Sequence, residues 1–163
     1  MKRQSLPPLL SLLAIVWVTG PALASAAPHV TLKLVGSLVT VVDGHVKRAP
    51  VDNVVLKPGD DIEYDVVATN TGSSPALKFV PMARIPAGTA YVAGSAKAEH
   101  AAPQFSIDNG KTWSATPTVA EKTPAGPVVK KADTALYTSV RFVQSGALAP
   151  GTRATYSYEV RVK

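Results

Sequence analysis

Three acidic residues at two-residue spacing, Asp61, Glu63 and Asp65, follow directly on Asp60. On an extended strand they share one face, because successive side chains alternate sides. Several carboxylate oxygens on one face are the donor set that a Ca²⁺ ion takes. The same spacing also describes a solvated face balanced by basic residues on a neighbouring strand, for which Arg153 and Arg161 are the partners in this chain. A calcium loop needs closely spaced Asp, Asn and Gly in an irregular segment, and this stretch has none, so the ion-pair reading is preferred and neither metal nor cofactor is expected. His29, His45 and His100 are far apart and share no strand spacing. His29 could become the third residue of a processed chain, but Pro28 before it lacks the amide proton that amino-terminal copper binding uses. No Gly-x-Ser-x-Gly elbow presents a nucleophile. The basic pairs Lys47-Arg48 and Lys130-Lys131 stand alone, with no aromatic residues interleaved to stack on bases. These residues predict neither an enzyme nor a nucleic-acid binder.

The sharpest short motif is Ser106-Ile107-Asp108-Asn109-Gly110-Lys111-Thr112-Trp113. It resembles the Asp-box of sialidases, a hairpin that lies far from their catalytic centre. The chain is far too short for a sialidase propeller, and its arginines are scattered, so the box is expected to be structural, with Asn109-Gly110 as a two-residue turn. Trp113 together with Tyr137 would serve as a sugar-stacking platform if both rings faced solvent, which defines an alternative reading as a carbohydrate-binding module.

The start of the chain reads as an address. Lys2 and Arg3 precede the apolar run 9–18, then Gly20-Pro21 and a series of small residues. That order is a secretory signal, with Ala24-Ser25-Ala26 as the cleavage signature. The run is too short to span a membrane, which takes about 20 apolar residues. Cleavage after Ala26 removes Lys2 and Arg3 and takes the net charge from +6 to +4. No second long apolar run follows, so no membrane span is expected after cleavage, and the protein is expected in the periplasm or outside the cell. The absence of cysteine excludes disulfides, thiolate metal sites and thiol catalysis. Hydrophobic residues make up 46% of the 163 residues and charged ones 17%, which excludes a disordered chain.

Beyond the signal, the periodicity is two. Ala154, Tyr156, Tyr158, Val160 and Val162 alternate with polar residues, as do Ile62, Tyr64, Val66 and Ala68. Leu136, Thr138, Val140 and Phe142 alternate against Tyr137, Ser139 and Arg141, and residues 30–42 are rich in Val and Leu. Turn signals lie between them: Asp43-Gly44, Pro58-Gly59-Asp60, Asn70-Thr71-Gly72, Pro86-Ala87-Gly88, Asn109-Gly110 and Pro150-Gly151. Glycine and asparagine supply positive φ there. Residues 115–131, with Pro117, Pro124, Gly126 and Pro127, are too proline-rich for a central strand and predict a long surface loop. Many short strands with frequent turns predict an all-β, antiparallel sandwich. The expected organisation is a signal peptide over 1–26, an N-terminal strand segment over 27–53 and the sandwich domain over 54–163.

Lys57-Pro58-Gly59-Asp60-Asp61-Ile62-Glu63-Tyr64, Ala68-Thr69-Asn70-Thr71-Gly72 and Arg84-Ile85-Pro86-Ala87-Gly88-Thr89 run on to Leu148-Ala149-Pro150-Gly151-Thr152 before the last strand. Over residues 54–162 the chain thereby resembles the bacterial "conserved repeat domain" family, domain of unknown function eleven, of envelope and surface proteins. The resemblance implies an immunoglobulin-like sandwich without catalytic activity. The chain holds one copy and no internal repeat. The expected role is a structural or protein-interaction module that meets an envelope or surface protein, by pairing at a free sheet edge. The last strand and residues 30–42 are the expected edges.

Overall fold

The computed structural model of the protein describes residues 26–163. The expected signal, Ala24 included and Ala26 excepted, lies outside the described residues. The fold is all-β and antiparallel. The strands are β1 (Val30–Val42), β2 (His45–Pro50), β3 (Asp61–Asn70), β4 (Met82–Arg84), β5 (Thr89–Tyr91), β6 (Lys97–Ala98), β7 (Ala101–Ser106), β8 (Thr118–Thr123), β9 (Gly126–Lys131), β10 (Ser139–Gln144) and β11 (Arg153–Val162). The larger sheet runs β2-β1-β3-β11-β5, with β6 also on β11; a second runs β4-β10-β7, and β8 pairs with β9.

The core sits between the two larger sheets. Ile62, Val66 and Ala68 of β3 and Tyr156, Tyr158 and Val160 of β11 are buried on one side, as the two-residue period requires. Val140, Phe142 and Phe105 face them from β10 and β7. Aromatic rings join the layers: Phe142 lies 5.2 Å from Tyr156, and Tyr91, Phe105 and Tyr137 pack with centroids 4.6–5.6 Å apart. Tyr158 reaches across to donate to the Arg84 carbonyl at 2.8 Å, and burial pushes its hydroxyl pKa well up.

Three expectations are corrected. Most of residues 115–131 form the β8–β9 hairpin, from Thr118↔Lys131 to Thr123↔Gly126, rather than a loop. A two-stranded ribbon has no central strand, so Pro127 in β9 removes no indispensable ladder bond. Gly126 takes the turn at φ 117, and Thr123 Oγ1 donates to its carbonyl at 2.7 Å. The last strand, β11, is central rather than an edge from Tyr156 onward, because β3 lies along one side and β5 and β6 along the other; only Arg153, Ala154 and Thr155 lack a strand on that second side. The alternation expected from Leu136 breaks: residues Thr134–Leu136 form a 3₁₀ turn, so Leu136 is exposed and Tyr137 is buried. Within residues 27–53, β1 pairs with β3 from Val30↔Asn70 to Val39↔Asp61.

Pro58-Gly59-Asp60 brings the chain into β3 with Gly59 at φ 94 and the Asp60 carboxylate accepting from the Lys57 amide at 2.7 Å. Pro150-Gly151 does the same before β11 with Gly151 at φ 72. The Asn70-Thr71-Gly72 turn works differently, since Gly72 is not among the positive-φ residues. A Cβ there would lie 2.3 Å from the His29 nitrogen and 2.4 Å from the Ala27 carbonyl, so glycine is required by close backbone approach.

Asn70 is fully buried, and its amide is spent completely. Oδ1 accepts from the amides of Gly72 at 3.0 Å and His29 at 3.3 Å, while Nδ2 donates to the carbonyls of Leu148 at 2.8 Å and Ser74 at 2.9 Å. Asn70→Ala is expected to lower unfolding free energy by about 3 kcal/mol in chemical denaturation, since it strands several polar groups at once. Thr71→Ala, at an exposed side chain beside it, should cost no more than about 0.5 kcal/mol. Equal, small losses in both would refute the role assigned to Asn70.

Candidate functional site

The acidic face of β3 is built as an ion-pair surface. Arg161 of β11, directly opposite Asp61, binds both of its oxygens at 2.7 Å. Glu63 is clamped at 2.9 Å through both oxygens by Arg48, which reaches over from β2 across β1. Arg48 thus stands where Arg153 was expected. Sequence spacing could not show this, because Arg48 and Glu63 are not on neighbouring strands. Arg48 holds the Glu63 carboxyl below the usual carboxylate range, while burial pushes Asp65 up, helped by the Glu63 charge. Two of the three carboxylates are therefore occupied by guanidinium groups, and the described residues hold no cluster of His, Asp and Glu placed for a metal. His29, His45 and His100 are exposed and lie apart along the chain, before β1, at the start of β2 and between β6 and β7.

The Asp-box segment is a closed loop. Phe105 and Ser114 exchange backbone bonds of 2.8 and 3.0 Å, so residues 106–113 lie inside the bridge. Asn109 and Gly110 take φ 60 and 88 but are not the two-residue hairpin expected, because the first strand pairing lies four residues away on one side and four on the other. Side chains hold the loop instead. Buried Ser106 accepts through Oγ from the amides of Asp108 and Gly110 and donates to Asp108 Oδ1 at 2.7 Å. Asp108 also accepts from the Thr112 amide and hydroxyl at 2.9 and 2.6 Å. These bonds, the Thr112 hydroxyl first, hold the Asp108 carboxyl far below its ordinary pKa.

Trp113 closes the loop by donating from Nε1 to the Gly110 carbonyl at 3.0 Å. The Arg141 guanidinium lies 4.7 Å from its ring, held in place by Gln104. One face of the indole is thus covered by a cation. Tyr137, the second ring of the expected sugar platform, is only 5% exposed and packs between Tyr91 and Phe105. With Tyr137 buried, the two rings do not form the one stacking surface expected of Trp113 and Tyr137.

What the structure leaves open is β1. β2 pairs with it only from Ser37↔Pro50 to Val42↔His45. Pro50 ends that ladder, and Val51 then folds over Gly36, where a Cβ would meet it at 2.9 Å. Residues 30–36 therefore pair with β3 on one side and with no strand on the other. The His29 carbonyl bonds towards β3, at Thr71, so residues an odd step along, Leu32 and Leu34 among them, turn their peptide groups to the free edge. Their side chains face the core side of the sheet, yet Leu32 is 53% and Leu34 55% exposed, because the three-stranded sheet does not extend over them. The sequence marks residues 30–42 as an edge but not these two leucines. The signal that picks them out is Pro50, which limits how far β2 can cover β1.

Because the folded-state pKa of Asp108 is depressed, the stability the loop draws from its carboxylate is complete above about pH 4 and is lost as the pH falls below it. The melting temperature should therefore drop more steeply between about pH 4 and about pH 2 in the wild type than in Asp108→Asn. Parallel pH profiles would show that the carboxylate does not hold the loop. Comparison of the chain with protein families, with curated proteins and with solved structures returns no match.

Proposed function

We propose that this chain is an exported, non-catalytic module of immunoglobulin-like β-sandwich architecture, related to the conserved repeat domain family, that acts by protein interaction in or beyond the cell envelope. The single observation that carries the reading is the unpaired edge of β1 with Leu32 and Leu34 half exposed beside it. A strand edge offers donors and acceptors at the repeat of another extended chain, and apolar side chains next to it supply the burial that makes such pairing stable. Two antiparallel sheets around one core support the sandwich. Export rests on the order of charged, apolar and small residues ahead of Ala27. No helix among the described residues is long and apolar enough to cross a membrane.

Photo-crosslinking in the native cells tests the reading. A crosslinker at Lys33 should give one dominant protein adduct, and a crosslinker at Val129, on the separate β8–β9 ribbon, should not. Leu32→Glu with Leu34→Glu should abolish the adduct while lowering stability by about 1 kcal/mol per site, since each leucine gives up only part of its burial. The same adducts from both positions, or an adduct that persists in the double variant, would overturn the proposal.

A further inference from the structure

β11 carries an unpaired edge of its own, on the far side of the sheet from β1. Its pairing with β6 ends at Tyr156↔Ala98. There the chain turns at Glu99 and His100, the latter at φ 56, and leaves for β7 in the other sheet. The space that a longer β6 would fill, beside Arg153 and Thr155, is a notch of about 730 Å³. That is within the range of roughly 300–1,000 Å³ found for ligand clefts.

Backbone geometry sets what the notch offers. Glu159 turns its peptide groups to this edge, accepting from the Val92 amide at 3.0 Å and donating to Ser95 Oγ at 2.9 Å. Residues at even steps from it face the same way, so Arg153 and Thr155 turn theirs into the notch. The opposite wall is pinned, because Ser145 donates through both its amide and its hydroxyl to the His100 carbonyl, at 2.9 and 2.8 Å. The Tyr156 hydroxyl donates to Gln144 Oε1, which leaves the Gln144 amino group as a free donor on that wall. Leu148 and Ala154 add apolar surface.

The charges select further. Arg48 and Arg161 are each held by a carboxylate, whereas Arg153 forms no ion pair among the described residues. Lys97 and His100 also line the notch, and Glu99 is its single carboxylate. Lys97 pairs with Ser157, where β6 still covers β11, so Arg153 is the cation on the unpaired stretch itself.

We propose that this notch binds an extended peptide segment bearing an acidic side chain, which adds to the free edge of β11 and places its carboxylate on Arg153. The surface is separate from the β1 edge and does not depend on the role assigned there. A peptide fits better than an acidic saccharide because the alternating N–H and C=O groups of a strand edge match the repeat of a peptide backbone. The edge is short, so few main-chain bonds form and the affinity is modest.

Titration of ¹⁵N-labelled protein with the blocked peptide acetyl-Val-Glu-Val-Glu-Val-amide tests this. The amide signals of Arg153, Thr155 and His100 should shift, with a Kd on the order of 0.1–1 mM. The glutamine counterpart of the peptide should bind about five- to tenfold more weakly. Arg153→Gln should remove that difference while leaving the rest of the spectrum in place. No shift at the notch with millimolar peptide, shifts confined to β1, or equal binding of the two peptides by the wild type would each overturn the proposal. So would a trigalacturonate that binds the notch where the peptide does not.

Discussion

The side chain of Asn70 is the constraint on which the rest of the arrangement depends. One buried amide joins the segment that leads into β1, the exit from β3 and the loop that leads into β11. Its main chain does the same, since the Asn70 amide donates to the Thr152 carbonyl at 3.0 Å and its carbonyl accepts from Gly151 at 2.8 Å. Three crossings that have no sequence proximity thus meet at one residue. The cost of burying four peptide groups at the end of a sheet is met there, because each has a partner. Gly72 completes the junction by letting the N-terminal segment pass within contact of the turn.

With that end fixed, the widths of the sheets decide the surfaces. The larger sheet is broader than the three-stranded one facing it. β3 and β11 are covered and carry the buried tyrosines, whereas the first half of β1 is not covered and keeps its leucines half exposed. The early ends of β2 and β6 have different causes. At one, the chain leaves the ladder at Pro50 for a 3₁₀ turn over Val51–Asn53, and at the other His100 turns the chain into the second sheet. Both leave a gap in a ladder whose neighbours are otherwise complete.

How much of this is legible in the sequence depends on whether a feature is local. The strands β3 and β11 follow from a two-residue period, and the Pro-Gly turns before them from preset φ and from glycine at positive φ. The composition of the Asp-box loop shows its internal bonding, because Ser106, Asp108 and Thr112 lie within reach of one another along the chain. Pairing is not local. That β11 is central, that Arg48 rather than Arg153 takes Glu63, and that Tyr137 is buried all follow from strand order, which no spacing encodes. The β8–β9 ribbon was obscured for another reason: proline content argues against a central strand, and a two-stranded ribbon has none.

Strand edges invite pairing between copies of a chain, and folded proteins restrain this with basic side chains. Lys33 lies at the middle of the free edge of β1, and Arg153 lies at the start of the free edge of β11. An antiparallel pairing of β1 with a second β1 centred on residues 30–36 would set Lys33 against Lys33, and like charges directly opposite destabilise a sheet. Neither residue forms an ion pair among the described residues, so both charges stay available to oppose self-pairing. The same charges favour a strand with a carboxylate at the matching position. The feature that keeps these edges from closing on themselves is therefore the one that gives them a preference among partners, and it needs no change in the fold to act.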